Sequence, residues 1–131
     1  MKTAYPIVMS KGKKFIVVYI PDFNINTQGT DYANAIEMAR DAIGLMGIDM
    51  EDEKENIPAP SELTNVQLEN PGDIVSLVDV DFTEYRRKHD LRMVRRNISL
   101  PAWLDAAASA KKINVSRVAQ TALKEILHIS E

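Results

Sequence analysis

The chain has 131 residues, 45% hydrophobic and 27% charged, which suits one medium or two small globular domains. It has no cysteine, which excludes a disulfide framework and a thiolate metal site. No apolar run reaches the length of a membrane span, and the N-terminus lacks a signal-peptide core. We therefore expect a cytoplasmic protein with no membrane partner.

The first part of the chain predicts three short strands. Ala4–Met9 is the first, and Pro6 places it near an edge or a start of the sheet. A turn at Gly12 leads to Phe15–Ile20, which is apolar on both faces, as expected of a central strand. Ile25–Gln28 is the third strand.

One amphipathic helix and one more strand follow. Thr30 is predicted to cap the helix, and an apolar stripe at helical spacing begins at Tyr32. The helix is expected to fray near Gly47, before an acidic, loop-like stretch over residues 49–55. A proline-rich extended segment then leads to Ile74–Phe82, a strand rich in β-branched residues. The order strand, strand, strand, helix, strand predicts a small α+β domain with a helix packed on a sheet.

Residues 94–100 predict a separate strand with two unlike faces, because successive side chains of a strand point to opposite sides. One face is mostly apolar, with Arg96 as the odd member. The other face is polar and consists of Arg95, Asn97 and Ser99. Pro101 ends this strand and suits the first position of a helix that runs to about Lys112.

A second short helix completes the chain. Asn114 tolerates the left-handed conformation at a helix end, and Ser116 is a good N-cap. An apolar stripe at helical spacing then runs from Val118 to Leu127. One strand and two short helices cannot bury a core alone, so the strand needs a second copy. Two antiparallel strands of a dimer would form a ribbon that fits the DNA major groove.

The C-terminal segment resembles the ribbon-helix-helix family of DNA-binding proteins. The matching residues are Arg95-x-Asn97-Ile98-Ser99-Leu100-Pro101, a helix, and then Ser116-Arg117. The resemblance implies that Arg95, Asn97 and Ser99 read bases, whereas Ser116 and Arg117 bind phosphate at the start of the second helix. A helix N-terminus independently favours an anion at that place.

Charge separates two parts of the chain. From Glu84 onward there are ten basic and five acidic residues, a net charge of +5. Before Glu84 there are six basic and fourteen acidic residues, a net charge of −8. A near-neutral total of −3 therefore hides a basic C-terminal third, and such asymmetry suggests nucleic acid on the basic side.

Nearly the whole chain resembles the HicB antitoxin family, through short motifs in a shared order. In the N-terminal part these are Tyr5-Pro6, Pro21-Asp22, Thr27-Gln28-Gly29, the helix with Ala35, Ala39, Asp41 and Ala42, and Ile57-Pro58-Ala59-Pro60-Ser61. Further on, three motifs are similar to HicB-like proteins with a C-terminal DNA-binding module: Val78-Asp79-Val80-Asp81, Tyr85-Arg86-Arg87-Lys88 and Pro101-Ala102-Trp103-Leu104.

This resemblance implies a domain order and a role. Residues 1–82 would form a degenerate ribonuclease H-like βββαβ domain, residues 83–91 a linker, and residues 92–131 a dimeric ribbon-helix-helix module. The chain would be the antitoxin of a type II toxin–antitoxin pair. It would bind and inhibit HicA, a small ribonuclease toxin, and repress its own operon. Expected partners are thus a HicA-like toxin, operator DNA and a second copy, in a dimer or a tetramer. An acidic domain would also steer toward a basic, RNA-binding toxin.

The first alternative is a metal-dependent, ribonuclease H-like nuclease. Such an enzyme needs carboxylates that converge on metal ions. The candidates are Asp22, Glu37, Asp79 and Asp81. A working site also takes a carboxylate from the first strand, and Ala4–Met9 carries none.

The second alternative is a solitary repressor whose N-terminal domain senses a ligand. The two histidines, His89 and His128, show no paired spacing for a transition metal, and the chain has no glycine-rich phosphate loop. We therefore expect no enzymatic activity, no bound metal and no cofactor.

Overall fold

The computed structural model describes residues 2–129, which form two compact units divided between Arg92 and Met93. Unit 1 (residues 2–92) contains a four-stranded sheet, two α-helices and one short 3₁₀ turn. Unit 2 (residues 93–129) contains two further α-helices. The predicted mixed α+β class is confirmed.

Every pair of neighbouring strands in the sheet of unit 1 is antiparallel. The strands are β1 (Lys2–Lys11), β2 (Ile16–Ile20), β3 (Ile25–Gly29) and β4 (Ile74–Asp81), arranged in the order β3-β2-β1-β4. The four strands predicted for this part of the chain are confirmed. β1 is two residues longer at each end than the sequence pattern predicts.

Pro6 lies within β1, which is an inner strand, although proline predicted a place near the edge. Pro6 is opposite Leu77 of β4, whereas pairing with β2 begins only at Val8, opposite Tyr19. At Pro6 the strand therefore has a ladder partner on one side only. A residue without an N–H group is tolerated at such a position.

α1 (Tyr32–Asp52) packs against one face of the sheet. Its N-cap is Asp31, whose carboxylate accepts a hydrogen bond from Asn34 N at 2.8 Å. The predicted cap at Thr30 is therefore wrong by one residue. Thr30 N instead donates to the side chain of Asn34 at 2.9 Å, so Asn34 is bound to both residues that precede the helix.

The hydrophobic core of unit 1 lies between α1 and the sheet. Side chains alternate along each strand, so every second residue faces the helix, and the helix contributes residues at intervals of three or four. The core consists of Tyr5, Ile7, Met9, Ile16, Val18, Ile20, Ala35, Ala39, Ile43, Val78 and Val80. This single cluster fixes the register of the sheet, because a shift by one residue would expose it.

A second helix, α2 (Phe82–His89), occupies most of the stretch that the sequence predicts as a linker. The predicted linker is therefore mostly helical, and this helix packs on α1. Gly44 and Gly47 of α1 leave room for the rings of Tyr85 and Phe82, and a Cβ atom at either glycine would collide with the ring. α1 also continues to Asp52, so the predicted fraying near Gly47 and the predicted loop from residue 49 are wrong.

The segment between the end of α1 and β4 has little regular structure, as its prolines predict. It is attached to the sheet where Tyr5 Oη donates to the carbonyl oxygen of Pro58 at 2.7 Å. Asp22 accepts two hydrogen bonds from Ser61, one from the backbone N at 3.0 Å and one from the hydroxyl group. Leu63–Asn65 forms the 3₁₀ turn.

Unit 2 consists of α3 (Ala102–Ala110) and α4 (Val115–Ile126). Pro101 is the N-cap of α3, whereas the sequence predicts it as the first helical residue. Between the helices Lys112 has a φ of 56°. The predicted left-handed residue, Asn114, has a φ of −80°, so that prediction is wrong.

Residues 90–101 form neither helix nor strand in the single chain. The predicted strand at 94–100 belongs to a ribbon that needs a second copy to supply the opposite strand. Strand assignment depends on that ladder, so the ribbon stays a prediction.

Candidate functional site

The three residues predicted to read bases lie in the irregular segment before α3. Arg95, Asn97 and Ser99 are all exposed, and within residues 2–129 Arg95 forms no ion pair. Their side chains are therefore available to a ligand. They alternate with Val94, Ile98 and Leu100, which are 87%, 56% and 36% exposed.

The two residues predicted to bind phosphate lie in the first turn of α4. Ser116 and Arg117 are both exposed. Asn114 caps this helix, because its side-chain oxygen accepts a hydrogen bond from Arg117 N at 3.1 Å. The N-cap prediction at Ser116 is thus wrong by two residues, since asparagine caps as well as serine does. Ser116 stays within the first turn, where unpaired backbone N–H groups favour an anion.

Unit 2 lacks a core of its own. Within residues 93–129 no side chain is buried, and both helices are without a buried residue. α4 exposes one apolar side, on which Val118, Leu123 and Ile126 are 56%, 57% and 71% exposed. A helix with such a side stabilises a fold only when the side is covered.

The carboxylates considered for a nuclease are engaged in contacts with the protein itself. Asp79 forms ion pairs with Lys2 at 3.4 Å and with Arg40 at 3.0 Å. The hydrogen bond from Arg40, followed by that from Lys2, lowers the pKa of Asp79 below its usual value. Asp81 caps α2, where it accepts a hydrogen bond from Glu84 N at 3.2 Å.

These carboxylates do not form one site. Glu37, Asp79 and Asp81 line one cleft together with Lys2 and Arg40, whereas Asp22 is not part of that lining and accepts hydrogen bonds from Ser61. Across the described residues no group of three or more His, Cys, Asp or Glu side chains is arranged to hold a metal ion. Cations of the protein itself, Lys2 and Arg40, therefore pair with Asp79, and the N-terminus of α2 donates to Asp81.

Tyr85 marks the contact between α1 and α2. Its hydroxyl donates to Asp41 Oδ1 at 2.9 Å, and its ring stacks on that of His89 with centroids 4.0 Å apart. Burial, followed by the nearby Asp41 carboxylate, raises the pKa of Tyr85 to about 12. The phenol therefore stays protonated and donates at any physiological pH.

A cleft of about 620 Å³ opens beside Tyr85, between α1, α2 and the end of β4. Its walls carry both signs of charge, with three cations and five carboxylates: Lys2, Arg40 and Lys88, and Glu37, Asp41, Asp79, Asp81 and Glu84. A cleft focuses a ligand of one charge when its walls have the opposite sign. The walls of this cleft carry both signs, with an excess of negative charge.

An ionic cluster joins the acidic end of α1 to the end of unit 1, and the sequence pattern did not predict it. Arg86 lies within 3.5 Å of Glu51, 3.1 Å of Asp52 and 3.2 Å of Asp90, and it also donates to the carbonyl oxygen of Ile48. Arg92 pairs with Asp90 at 2.8 Å. Arginine side chains thus offset the negative end of the α1 dipole and its acidic residues.

The two units differ in charge. The sequence of unit 1 has ten basic and sixteen acidic residues, a net charge of −6, whereas that of unit 2 has six basic and three acidic residues, a net charge of +3. The unit with the exposed polar segment is therefore also the basic one.

No helix within residues 2–129 has both the length and the apolar composition of a membrane span.

Comparison with known proteins gives a family. Residues 5–122 match the model of the HicB-like antitoxin of bacterial toxin–antitoxin systems. No curated protein matches. The fold is similar to a chain of a toxin–antitoxin complex from Streptococcus pneumoniae, with 20% identity, a TM-score of 0.62, and coverage of 95% of this chain and 99% of that one.

Two further solved structures have the same fold. One is the antitoxin HicB of Burkholderia pseudomallei, with 23% identity, a TM-score of 0.57, and coverage of 96% of this chain and 97% of that one. The other is a chain of the HicA3 and HicB3 toxin–antitoxin complex, with 22% identity, a TM-score of 0.51, and coverage of 60% of this chain and 99% of that one. Because the family model matches most of the sequence, the chain belongs to the HicB-like antitoxins of bacterial toxin–antitoxin systems.

Proposed function

We propose that this antitoxin binds and inhibits a HicA-like ribonuclease toxin through unit 1 and represses its own operon through unit 2. The observation that carries the proposal is the contrast between the units. Unit 1 has a closed core and a net charge of −6. Unit 2 has a net charge of +3 and, in its described part, no buried side chain.

Unit 1 suits a basic protein partner. A ribonuclease that binds RNA presents a basic surface to the phosphates. An acidic domain attracts such a surface over a distance and competes with RNA for it. The strand and helix order of unit 1 supports a degenerate ribonuclease H-like domain, in which the remaining carboxylates hold the fold together. On this account the antitoxin acts in the cytoplasm without catalysis, metal or cofactor.

Unit 2 suits a ribbon-helix-helix dimer. A second copy would pair residues 94–100 of two chains and cover the apolar side of α4. Arg95, Asn97 and Ser99 would then face the major groove, where arginine can donate two hydrogen bonds to guanine. Ser116 and Arg117 would bind a phosphate at the start of α4.

The test uses the full chain, a HicA-like toxin and an operator fragment. Arg95→Ala should weaken operator binding by roughly 1–3 kcal/mol and relax base preference at one position. Arg117→Ala should weaken binding to all sequences to a similar degree and flatten the dependence on salt, because phosphate contacts release counterions. Both variants should inhibit the toxin as the wild type does in an RNA-cleavage assay.

Two outcomes would oppose the proposal. If Arg95→Ala abolished toxin inhibition and left operator affinity intact, the assignment of the units would be wrong. If the wild type bound the operator but no toxin, the chain would be a solitary repressor.

A further inference from the structure

One side of α1 carries carboxylates that no cation of the described chain, residues 2–129, neutralises. Glu37, Asp41 and Asp49 lie on the side of this helix that the core of unit 1 leaves exposed. Leu45, which is 58% exposed, lies among them. The four residues recur at every fourth position and therefore follow one side of the helix. They are called the acidic stripe below.

The acidic stripe is unfavourable for α1 itself. Within residues 2–129 none of its three carboxylates forms an ion pair. Like charges four residues apart, such as Glu37 and Asp41, destabilise a helix, and Asp49 lies near its negative C-terminal end. Arg40, the one basic residue of α1, pairs with Asp79 instead. A cationic partner would therefore relieve a repulsion that the chain leaves in place.

Two clefts border the acidic stripe, and both have an excess of negative charge. Glu37 and Asp41 line the cleft beside Tyr85, in which five carboxylates exceed three cations. A second cleft, of about 550 Å³, is lined by Leu45 and by three carboxylates against one cation, namely Asp49, Asp52, Asp90 and Arg92. His89 lines both clefts, which places them side by side. Negative walls in a cleft raise the local concentration of cations.

We propose that the acidic stripe is the surface on which the HicA-like toxin docks, with basic side chains of the toxin in the two clefts and an apolar side chain against Leu45. This inference rests on the proposed inhibition of the toxin by unit 1. A toxin that binds RNA presents cations to the phosphates, and these cations match the carboxylates of the stripe. Leu45 gives the contact an apolar centre within a polar rim, as in other protein interfaces.

This docking mode also explains inhibition without catalysis. Arginine and lysine bind carboxylates and phosphates through the same charge-assisted hydrogen bonds. The toxin cations held by the acidic stripe are then not free to hold RNA. The antitoxin and the RNA therefore compete for one surface of the toxin.

The first experiment measures the affinity of the full chain for a HicA-like toxin by calorimetry at two salt concentrations. The stripe variant has Glu37→Lys and Asp49→Lys, and it keeps Asp41, which binds Tyr85. The matched control has Glu55→Lys and Glu69→Lys, two exposed carboxylates between α1 and β4. We expect the stripe variant to bind about tenfold more weakly than the control at low salt. The difference should shrink at high salt, because salt screens exposed charges.

The apolar centre is tested with a second pair of variants. Leu45→Ala should weaken toxin binding by about fivefold at both salt concentrations, because it truncates the centre of the contact. Leu68→Ala is its control, since Leu68 is 52% exposed and lies in the segment between α1 and β4. This control should bind the toxin as the wild type does.

A third measurement detects the covered surface while binding is retained. The chain has no cysteine, so Asp49→Cys and Glu69→Cys each introduce a single thiol. Toxin should slow alkylation of the thiol at position 49 and leave the rate at position 69 unchanged. The mass of the antitoxin reports the alkylated fraction.

Several results would overturn the inference. Equal affinities of the stripe variant and its control would show that the toxin responds to overall charge alone. Equal affinities of Leu45→Ala and Leu68→Ala, or no protection at position 49, would show that the toxin docks elsewhere. Protection at position 49 that rises with antitoxin concentration in the absence of toxin would assign the stripe to a second copy of this chain. These results leave the proposed function standing, whereas absence of toxin binding by the wild type would overturn both.

Discussion

Gly47 of α1 lies against the ring of Phe82, and a Cβ atom at position 47 would collide with that ring. Gly44 likewise lies against the ring of Tyr85, and a Cβ atom at position 44 would collide with that ring. The two glycines and the two aromatic residues are each three residues apart, so one turn of α1 fits one turn of α2. α2 is therefore part of unit 1, which ends after this helix and not after β4.

Gly47→Ala should destabilise unit 1. Alanine favours a helix over glycine by roughly 1 kcal/mol, but an added methyl group in a filled contact costs roughly 1–3 kcal/mol. We expect a lower midpoint of urea unfolding. The same change in a Phe82→Leu background should cost less, because the ring is gone. An equal decrease in both backgrounds would show that the glycine is needed for another reason.

Unit 1 should lose stability in acid through Asp90. Arg92 Nε donates to this carboxylate at 2.8 Å, and the hydrogen bonds from Arg92 hold the pKa of Asp90 well below its usual range. A carboxylate whose pKa is lower in the folded chain than in the unfolded chain stabilises the fold when the pH is above its unfolded pKa, which is about 4. This stabilisation is lost as the pH falls through the folded pKa.

The measurement is urea unfolding at low salt between about pH 7 and pH 2, since salt screens an exposed arginine. The urea concentration at the unfolding midpoint should decrease as the pH drops below about 4, and this decrease should be smaller in Asp90→Asn. Asp79 also has a lowered pKa and supplies acid sensitivity that this variant retains. Identical pH profiles for the variant and the wild type would contradict the role of Asp90.

Leu123→Glu should abolish the dimer and operator binding together. Leu123 is 57% exposed in the single chain, and on this account a second copy buries it. A charge buried there without a partner is strongly unfavourable. Gln120→Glu adds the same charge to the polar side of α4 and should leave the dimer intact. Sedimentation measures the oligomeric state, and a wild-type chain that stays monomeric while it binds the operator would exclude the ribbon.

The strands of unit 1 could be predicted from the sequence because alternation and β-branched residues are local signals. The position of α2 could not, since its helix depends on contacts between residues far apart, such as Gly44 with Tyr85. The shared spacing of three in the two pairs was a usable sign. Proline at position 6 gave a partly misleading signal, because β1 is an inner strand that lacks a second neighbour only at that point.

The prediction of the candidate DNA site depended less on contacts between residues far apart in the sequence. Exposure of Arg95, Asn97, Ser99, Ser116 and Arg117 agrees with what the sequence pattern requires. The cap of α4 was misassigned because Asn114 and Ser116 are equally good capping residues, and only the backbone decides between them. The ionic cluster around Arg86 could not be predicted because its members come from two separate stretches of sequence, residues 48–52 and 86–92.

The division of labour between the two units is tested most directly with a fragment of residues 1–92. It should fold because it keeps α2, whereas a fragment that ends at Asp81 should unfold, since it loses Phe82 and Tyr85. The measurement titrates the 1–92 fragment into a toxin RNA-cleavage assay and, separately, into operator DNA. The account predicts that the fragment inhibits the toxin as well as the full chain does and does not bind the operator. A folded 1–92 fragment that fails to inhibit the toxin, while residues 93–131 inhibit it, would contradict the account.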